Sequence, residues 1–506
     1  VSVPAPRPAA PSLLIRIDPG AREGLQQQIY GDIRRAILDG ILQPGVRVPS
    51  SRALAVDLGV SRTTTLLALE QLLAEGYLRT RRGSGTFVAD ELPEDMPGAQ
   101  PPRPAANLRH PPLSRRGMQL SRTIAAARRL GGPPRPFRIG VPALDLFPFR
   151  TWSQLASRRL RSVTAAQLDY GEPGGLSALR EAIAEHVTTA RGTRCVAEQV
   201  FVTAGAQRGL DLVCHLLLDH GDPAWVEEPG YPGAWKALIA AGARMIPVPV
   251  DEDGLDVEAG TRRAAEARLA YVSPSHQFPL GVPMSLPRRL ALLKWASAAQ
   301  AWVIEDDYDS EFRYGSRPIP CLHGLDSEGR VIYVGSFAKA LFPSLRLGFL
   351  VVPLDLHDHL LAARRGTELH PPTLDQAVLA DFMAGGHFAR HLRRMRAAYA
   401  ERLEALQDAA QRHCGGVLRV RPARTGLHVV ADLDGPDATR VFEEAAARAV
   451  EVMPLAAYYA GRARPANGLV LGFGSVRPDR LGSGMETLAA AIDAARRGTP
   501  PSTSHD

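Results

Sequence analysis

Lysine is almost absent from this chain: three occur in 506 residues, and arginine supplies the other 57 of the 60 basic side chains. A lysine kept in so arginine-biased a chain asks for a reason beyond charge. Cysteine is scarce too. Cys195, Cys214, Cys321 and Cys414 are scattered without CxxC spacing, which argues against a zinc site or a disulfide framework and for a reducing compartment. No run of eighteen apolar residues occurs and no charged-then-apolar leader opens the sequence, so the expectation is a soluble cytoplasmic protein with no membrane partner. Neither charge sign dominates. The formal charge of +7 and pI near 9.4 permit nucleic-acid binding without establishing it.

What is present divides into three zones. A patterned block covers residues 13–88, and a segment rich in Pro, Arg, Ala and Gly covers 89–136, the composition of a linker. From Glu91 to Arg138 nine arginines face three acids, which could lie along DNA phosphates or merely keep a tether soluble. Within it, Met118–Leu130 could form a short helix. In 137–497 apolar runs alternate with amphipathic helices: Gln199–Thr203, Ala224–Glu227, Arg268–Val272, Ala301–Glu305, Val331–Val334 and Leu347–Val352. That alternation predicts an α/β fold, a mostly parallel sheet with helices on both faces.

In the first block, Leu25, Ile29, Ile33, Ala36 and Ile37 mark an amphipathic helix. Pro49-Ser-Ser-Arg52 opens a second helix with a serine cap, and Gly59-Val60 turns into a third helix that starts Ser61-Arg62-Thr63-Thr64. Tyr77–Val88 then reads as a hairpin with a glycine-rich tip, a wing. The third helix begins with side chains suited to base edges and phosphates, and Arg79, Arg81 and Arg82 would place the wing on the backbone.

Lys339 lies in Val331–Val352, read as strand, loop and strand, with Ser336 in the same loop and Arg346 seven residues on. Only lysine can form a Schiff base with an aldehyde, and Ser336 with Arg346 would hold a phosphate beside it. Lys236 and Lys294 sit in helical patterns and read as surface residues. Thr203-Ala-Gly205-Ala206-Gln207 lies between strand and helix, where backbone N–H groups can hold a phosphate. Glu305-Asp306-Asp307-Tyr308-Asp309 closes a strand with a dense acidic cluster; a divalent-metal site is its rival reading, disfavoured because no flanking metal-type ligands accompany it, and no metal is expected.

The order helix, PSSR, GVSR, helix, AEGYL, RxGSGTFV resembles the winged helix-turn-helix of the GntR regulator family. The resemblance implies contact with duplex DNA through Arg52, Ser61, Arg62, Thr63, Thr64 and wing-tip Gly85. Leu66 stands where some members carry a further DNA-contacting arginine. Residues from Phe137 to about Ala495 resemble fold-type I aminotransferases, which implies a smaller C-terminal α/β subdomain and pyridoxal 5'-phosphate as cofactor. By that resemblance Lys339 anchors the cofactor, Tyr231 stacks on its ring, Asp306 pairs with the ring nitrogen and Tyr308 with the ring hydroxyl. Gly205, Ala206, Gln207, Ser336 and Arg346 attend the phosphate, and Tyr170 reaches the partner subunit's cofactor, which implies a homodimer.

Two departures matter. Phe278-Pro-Leu-Gly replaces the enzymes' Asn-Pro-Thr-Gly turn, so His276 or Gln277 would have to stand in for the asparagine. Aligning Gly468–Phe473 places Leu471 where the enzymes carry the arginine that clamps a substrate carboxylate, although Arg208, Arg424 or Arg477 could replace it. Gly233 stands where GABA-sensing relatives have an arginine, which disfavours a GABA response. The fusion of the two modules resembles the MocR/GabR regulators. It implies a transcription regulator that senses pyridoxal phosphate itself or an amino compound through aldimine chemistry at Lys339. The alternatives are a working aminotransferase carrying a DNA-binding domain and a DNA-binding protein with a cofactor-free scaffold.

Overall fold

The computed structural model describes residues 15, 17–21, 23–81, 83–93, 113–122, 132–314, 320–461 and 465–497. The chain divides into two compact units, Val1–Pro112 and Leu113–Asp506.

The first unit packs α1 (Leu25–Leu38), α2 (Ser51–Leu58) and α3 (Arg62–Ala74) around Ile29, Ile33, Ile37, Leu54, Ala68, Leu69 and Leu72. Capping sets the helix starts. The Ser50 hydroxyl accepts from the Ala53 N–H at 3.2 Å, and Gly59 ends α2 at φ +67°, where glycine carries no Cβ penalty. Strands β1 (Arg47–Val48), β2 (Leu78–Arg81) and β3 (Gly85–Val88) form an antiparallel sheet in the order β1-β3-β2. The hairpin expected at 77–88 is therefore two strands of three.

In the second unit the linker segment contributes α4 (Arg115–Arg122), three residues ahead of the expected Met118 start; 123–130 lie outside the described residues. The main sheet contains β4 (Val200–Thr203), β5 (Pro223–Glu228), β6 (Arg244–Asp251), β7 (Gly254–Leu255), β8 (Leu269–Val272), β9 (Trp302–Asp307), β10 (Val331–Ser336) and β11 (Gly348–Val351). Its order is β4-β11-β10-β9-β8-β5-β6-β7, with β10, β9, β8, β5 and β6 parallel and β11 reversed between β10 and β4. Every residue of β4, β8 and β11 is buried, as a sheet covered on both faces requires. Sequence patterning missed β6, because Pro247 and Pro249 cannot donate to a ladder. Only the two-residue β7 lies beyond it, so the strand tolerates both prolines.

A second sheet, β12 (Leu418–Val420), β13 (His428–Leu433), β14 (Met453–Pro454) and β15 (Gly468–Gly472), is antiparallel in the order β12-β13-β15-β14. The long helix His387–Cys414 and the helix Pro478–Arg497 pack around it. Among the described residues no helix is long and apolar enough to cross a membrane.

Candidate functional site

The start of α3 is built by its own side chains. Ser61 caps the helix, accepting from the Thr64 N–H at 3.1 Å, and its hydroxyl also meets that of Thr64 at 2.7 Å. Two of the expected DNA-contacting hydroxyls are thus engaged with each other. Thr65 is fully buried and donates to the Ser51 carbonyl at 2.8 Å, which fixes the rotation of α3 against α2. That rotation leaves Arg62 and Thr63 exposed, with Arg52 exposed on α2. Gly85 is exposed at φ +112°, and a Cβ there would come within 2.9 Å of the Arg47 guanidinium. In the wing, Arg79 is paired with Asp90 and Arg81 lies over the Phe87 ring at 5.1 Å; Arg82 lies outside the described residues.

In the second unit the candidate residues gather at one end of the main sheet. Ser336 is not in a loop, as the sequence suggested. It ends β10 and caps a single helical turn, Phe337–Ala340, which carries the half-buried Lys339. Ser336 pairs across to Gly348 and Gly348 to Thr203, so three strand ends stand in a row. Beyond Thr203, Gly205 at φ +89° precedes the helix Ala206–Leu217. Arg346 crosses to this turn: it donates to the Ala204 carbonyl at 3.1 Å, and a Cβ on Gly205 would sit 3.4 Å from its guanidinium. A helix N-terminus, a serine hydroxyl and an exposed guanidinium make an anion site. Gln207 spends its side chain on the Gly233 carbonyl at 2.9 Å and on Asp211, leaving its backbone N–H at the helix start.

The four acids after Ile304 diverge. Alternation along β9 sends Glu305 and Asp307 to one face and Asp306 to the other. Glu305 accepts from the Leu322 and His323 N–H groups; Asp307 binds the buried Arg191 at 2.6 Å and the Tyr333 hydroxyl at 2.7 Å. Asp306 accepts from the Tyr271 hydroxyl at 2.5 Å through Oδ2, while its buried Oδ1 has no hydrogen-bond partner among the described residues. Burial pushes its carboxyl up to about 6, against the pull of Tyr271 and of the Lys339 charge.

His276 and Gln277 are both occupied. Gln277 is 1% exposed; its amide N–H groups go to Glu227, the Pro229 carbonyl and the Phe278 carbonyl, and its oxygen accepts from the Leu280 N–H. That corrects the expectation that Gln277 could replace the enzymes' ring-contacting asparagine, since its donors are spent on Glu227 and on the Pro229 and Phe278 carbonyls. His276 pairs through Nδ1 with the Asp309 carboxylate at 3.0 Å and with the Tyr308 hydroxyl at 3.0 Å. Tyr308 in turn donates to the His276 carbonyl at 2.9 Å, so both the ring and the backbone of His276 hold Tyr308. His428 of β13 lies beside it, ring centroids 5.0 Å apart, and donates from Nε2 to the Pro279 carbonyl. Burial drives its imidazole down to about 3, so it is neutral. Among the described residues His276, Asp309 and His428 bring one metal-type ligand atom each within 4.8 Å, a convergence that sequence spacing could not reveal.

Tyr231 caps the helix Pro232–Ala241 and meets the Phe278 ring edge-on at 5.8 Å. A cavity of about 850 Å³ opens beside both, lined also by Ile139, Met453, Tyr458 and Leu120. Tyr170 is 84% exposed, with His370 as its ring neighbour at 6.4 Å.

The arginine-clamp position also moves. Leu471 is buried in the large core, whereas Val470 packs with Ile139, Tyr458 and Phe278 on the face toward the site. Valine, not leucine, stands where a clamp would have to project, and it too lacks a charge. Arg208 is paired with Glu368 at 2.7 Å and Arg477 lies 3.7 Å from Asp479; Arg424 is exposed.

Residues 25–88 match the family model for bacterial regulatory proteins of the gntR family, and 140–468 match that for class I and II aminotransferases. The chain is 41% identical to the probable rhizopine catabolism regulatory protein MocR of Rhizobium meliloti, covering 95% of this chain and 96% of that protein. The chain belongs to the MocR/GabR type of transcriptional regulator. This family also brings in the pyridoxine biosynthesis regulator PdxR of Corynebacterium glutamicum, 34% identical over 93% of this chain and 96% of the relative. The regulator's second unit has the fold-type I architecture. Its solved neighbours include LysN, the α-aminoadipate aminotransferase of Thermus thermophilus, complexed with N-(5'-phosphopyridoxyl)-L-leucine. There the TM-score is 0.66 and the identity 30%, over 76% of this chain and 96% of that one.

Proposed function

We propose that this regulator holds pyridoxal 5'-phosphate around Lys339 and uses it as part of its effector sensor. The observation that carries the reading is the unpartnered, buried Oδ1 of Asp306 on the face that Lys339's charge reaches. A protonated ring nitrogen is the donor such an oxygen fits. Bound there, the cofactor supplies an aldehyde that a lysine amine can capture and a ring that draws electrons. In this reading Lys339 is that amine, and Tyr231 covers one ring face. Asp306 keeps a proton at the ring nitrogen, and Tyr308, held by His276, would give its proton to the ring oxygen in place of the His276 carbonyl it now meets. Ser336, Arg346 and the N–H groups following Gly205, at Ala206 and Gln207, hold the phosphate. Residues 13–88 form the DNA-binding module, with Arg52, Ser61, Arg62, Thr63, Thr64 and Gly85 as its contact surface; 89–136 form the linker and 137–497 the effector domain.

The effector is pyridoxal phosphate itself or an amino compound. Val470 and Gly233 leave the two positions at which relatives grip a substrate carboxylate without a charge, which favours sensing over sustained transamination and leans toward the cofactor as signal. The exposed Tyr170 supports a homodimer, in which it would complete the partner's site, and the working location is the cytoplasm. The test is a spectral titration with pyridoxal phosphate, then amines and amino acids, followed by borohydride reduction and peptide mapping. The pyridoxyl group should map to Lys339; labelling of Lys236 or Lys294 would reject the site.

A further inference from the structure

The exposed start of α3 combines hydrogen-bonding and apolar side chains. Ser61 and Thr64 share one hydroxyl–hydroxyl hydrogen bond, which leaves a single O–H between them for DNA, and Thr65 is buried against Ser51. What remains exposed over the first two turns is Arg62, Thr63, Leu66 and Leu67, with the leucines 39% and 44% exposed. Single exposed leucines on a protein surface need no explanation. Here, however, the apolar pair continues the exposed stripe begun by Arg62 and Thr63. Leu66 is i+4 from Arg62 and i+3 from Thr63, so it lies on one ridge with both. Leu67 lies on a ridge with Thr63 and Thr64 but not with Arg62. The interior-facing positions Thr65, Ala68, Leu69 and Leu72 are filled, so the rotation of the helix leaves the leucines no place in the core of this unit.

In the major groove only one base presents an apolar group, the 5-methyl of thymine. We infer that Leu66 is a specificity-determining residue of the DNA-binding unit and packs on a thymine methyl beside the base that Arg62 contacts. Four residues along a helix advance about 6 Å, roughly two base-pair rises, which sets the distance between the two contacts. A leucine has no donor or acceptor with which to prefer any other base edge. The methyl of Thr63 flanks the same position, so the recognition face is matched to a thymine-containing step rather than to a run of guanines, which a second arginine would favour. The continuity of this stripe with Arg62, and the exposed Arg52 on the neighbouring helix, favour duplex DNA over a protein surface as its occupant.

The test leaves the protein intact and removes the methyl from the DNA. Full-length protein is used to enrich binding sites from random duplexes. Each thymine of the enriched site is then replaced in turn by deoxyuridine, and affinities are measured for wild type, Leu66→Ala and Leu67→Ala. Burying one methyl is worth about fourfold in affinity. Wild type should lose about that factor at one thymine lying within roughly two base pairs of the position at which Arg62→Ala relaxes base preference. Leu66→Ala should bind the thymine and uracil sites equally, while Leu67→Ala keeps the difference. The inference is overturned if no thymine is methyl-sensitive in wild type, if Leu66→Ala keeps the full sensitivity, or if the sensitivity disappears with Leu67→Ala instead. Unchanged DNA affinity together with altered self-association in Leu66→Ala would assign the stripe to a protein contact, and failure to enrich any sequence would remove base readout altogether; either result also overturns it.

Discussion

Replacing Asp306 by Asn should have two opposite effects on the regulator. In the absence of cofactor the carboxylate is a liability, because it is buried with one oxygen unpartnered. Its carboxyl is pushed from 3.8 up to about 6, chiefly by burial. The sign follows from linkage: the folded state then holds a proton that the unfolded state has released. The contribution of Asp306 to stability is therefore fully present below about pH 4 and is lost as pH rises through 6. A shift of two units corresponds to about 3 kcal/mol, as an order of magnitude. Asparagine is neutral throughout and its oxygen can still accept from Tyr271. Asp306→Asn should thus gain on wild type by up to about 3 kcal/mol between pH 4 and 7 in chemical denaturation of cofactor-free protein. Glu305, raised to about 7 by burial, adds the same slope to both proteins, whereas Glu227, also raised to about 7 by burial, is pushed up further by the Asp306 charge, so the difference reads Asp306 together with its repulsion of Glu227. The same substitution removes the charged partner of the ring nitrogen. A hydrogen bond to a charged group is worth about 1.5–3 kcal/mol, so affinity for pyridoxal phosphate should fall by roughly 10- to 100-fold in an absorbance titration. A stability difference that stays flat across pH 4–7, or an unchanged cofactor affinity, would refute the placement of Asp306.

Three further outcomes follow from the same geometry. Arg62→Ala should weaken operator binding by about 1–3 kcal/mol and relax preference at one base, measured by competition between sequences; equal affinity for wild type and an Arg52→Ala/Arg62→Ala double variant would exclude this surface. Light scattering at micromolar concentration with cofactor bound should report a dimer, and a Tyr170→Phe variant should hold pyridoxal phosphate more weakly; a monomer would contradict the shared site. Changing Arg103, Arg109, Arg115 and Arg116 to Gln should flatten the salt dependence of DNA binding, by about 0.9 in the log–log slope for each lost phosphate contact, with operator preference kept. An unchanged slope assigns the linker to tethering.

Much of the architecture was legible in the sequence because it is written in local periodicity. The three helices of the first unit, with the serine cap of α2 and the Gly59 turn, follow from spacing and cap chemistry alone. So do β4, β5, β8, β9, β10 and β11, whose runs are apolar because helices cover both faces of the sheet. The scarcity of lysine singles out Lys339 with no knowledge of the fold. Strand β6 escaped because a proline is forbidden or harmless according to whether a neighbour needs its N–H, and sequence does not say which strand lies next to which.

What only the tertiary structure decided is where side chains spend their hydrogen bonds and which face they show. Glu305, Asp306 and Asp307 are chemically alike in sequence; the positions of Leu322, Arg191 and Tyr271 separate one site carboxylate from two structural ones. Gln277 has free donors as far as sequence can say, and the folded chain spends them on Glu227 and the Pro229 carbonyl. Val470 and Leu471 differ by one residue, and a one-residue step along a strand reverses the face. Periodicity fixes that neighbouring residues point opposite ways, but which of them meets the pocket depends on chain segments more than a hundred residues distant, brought together by burial rather than by spacing.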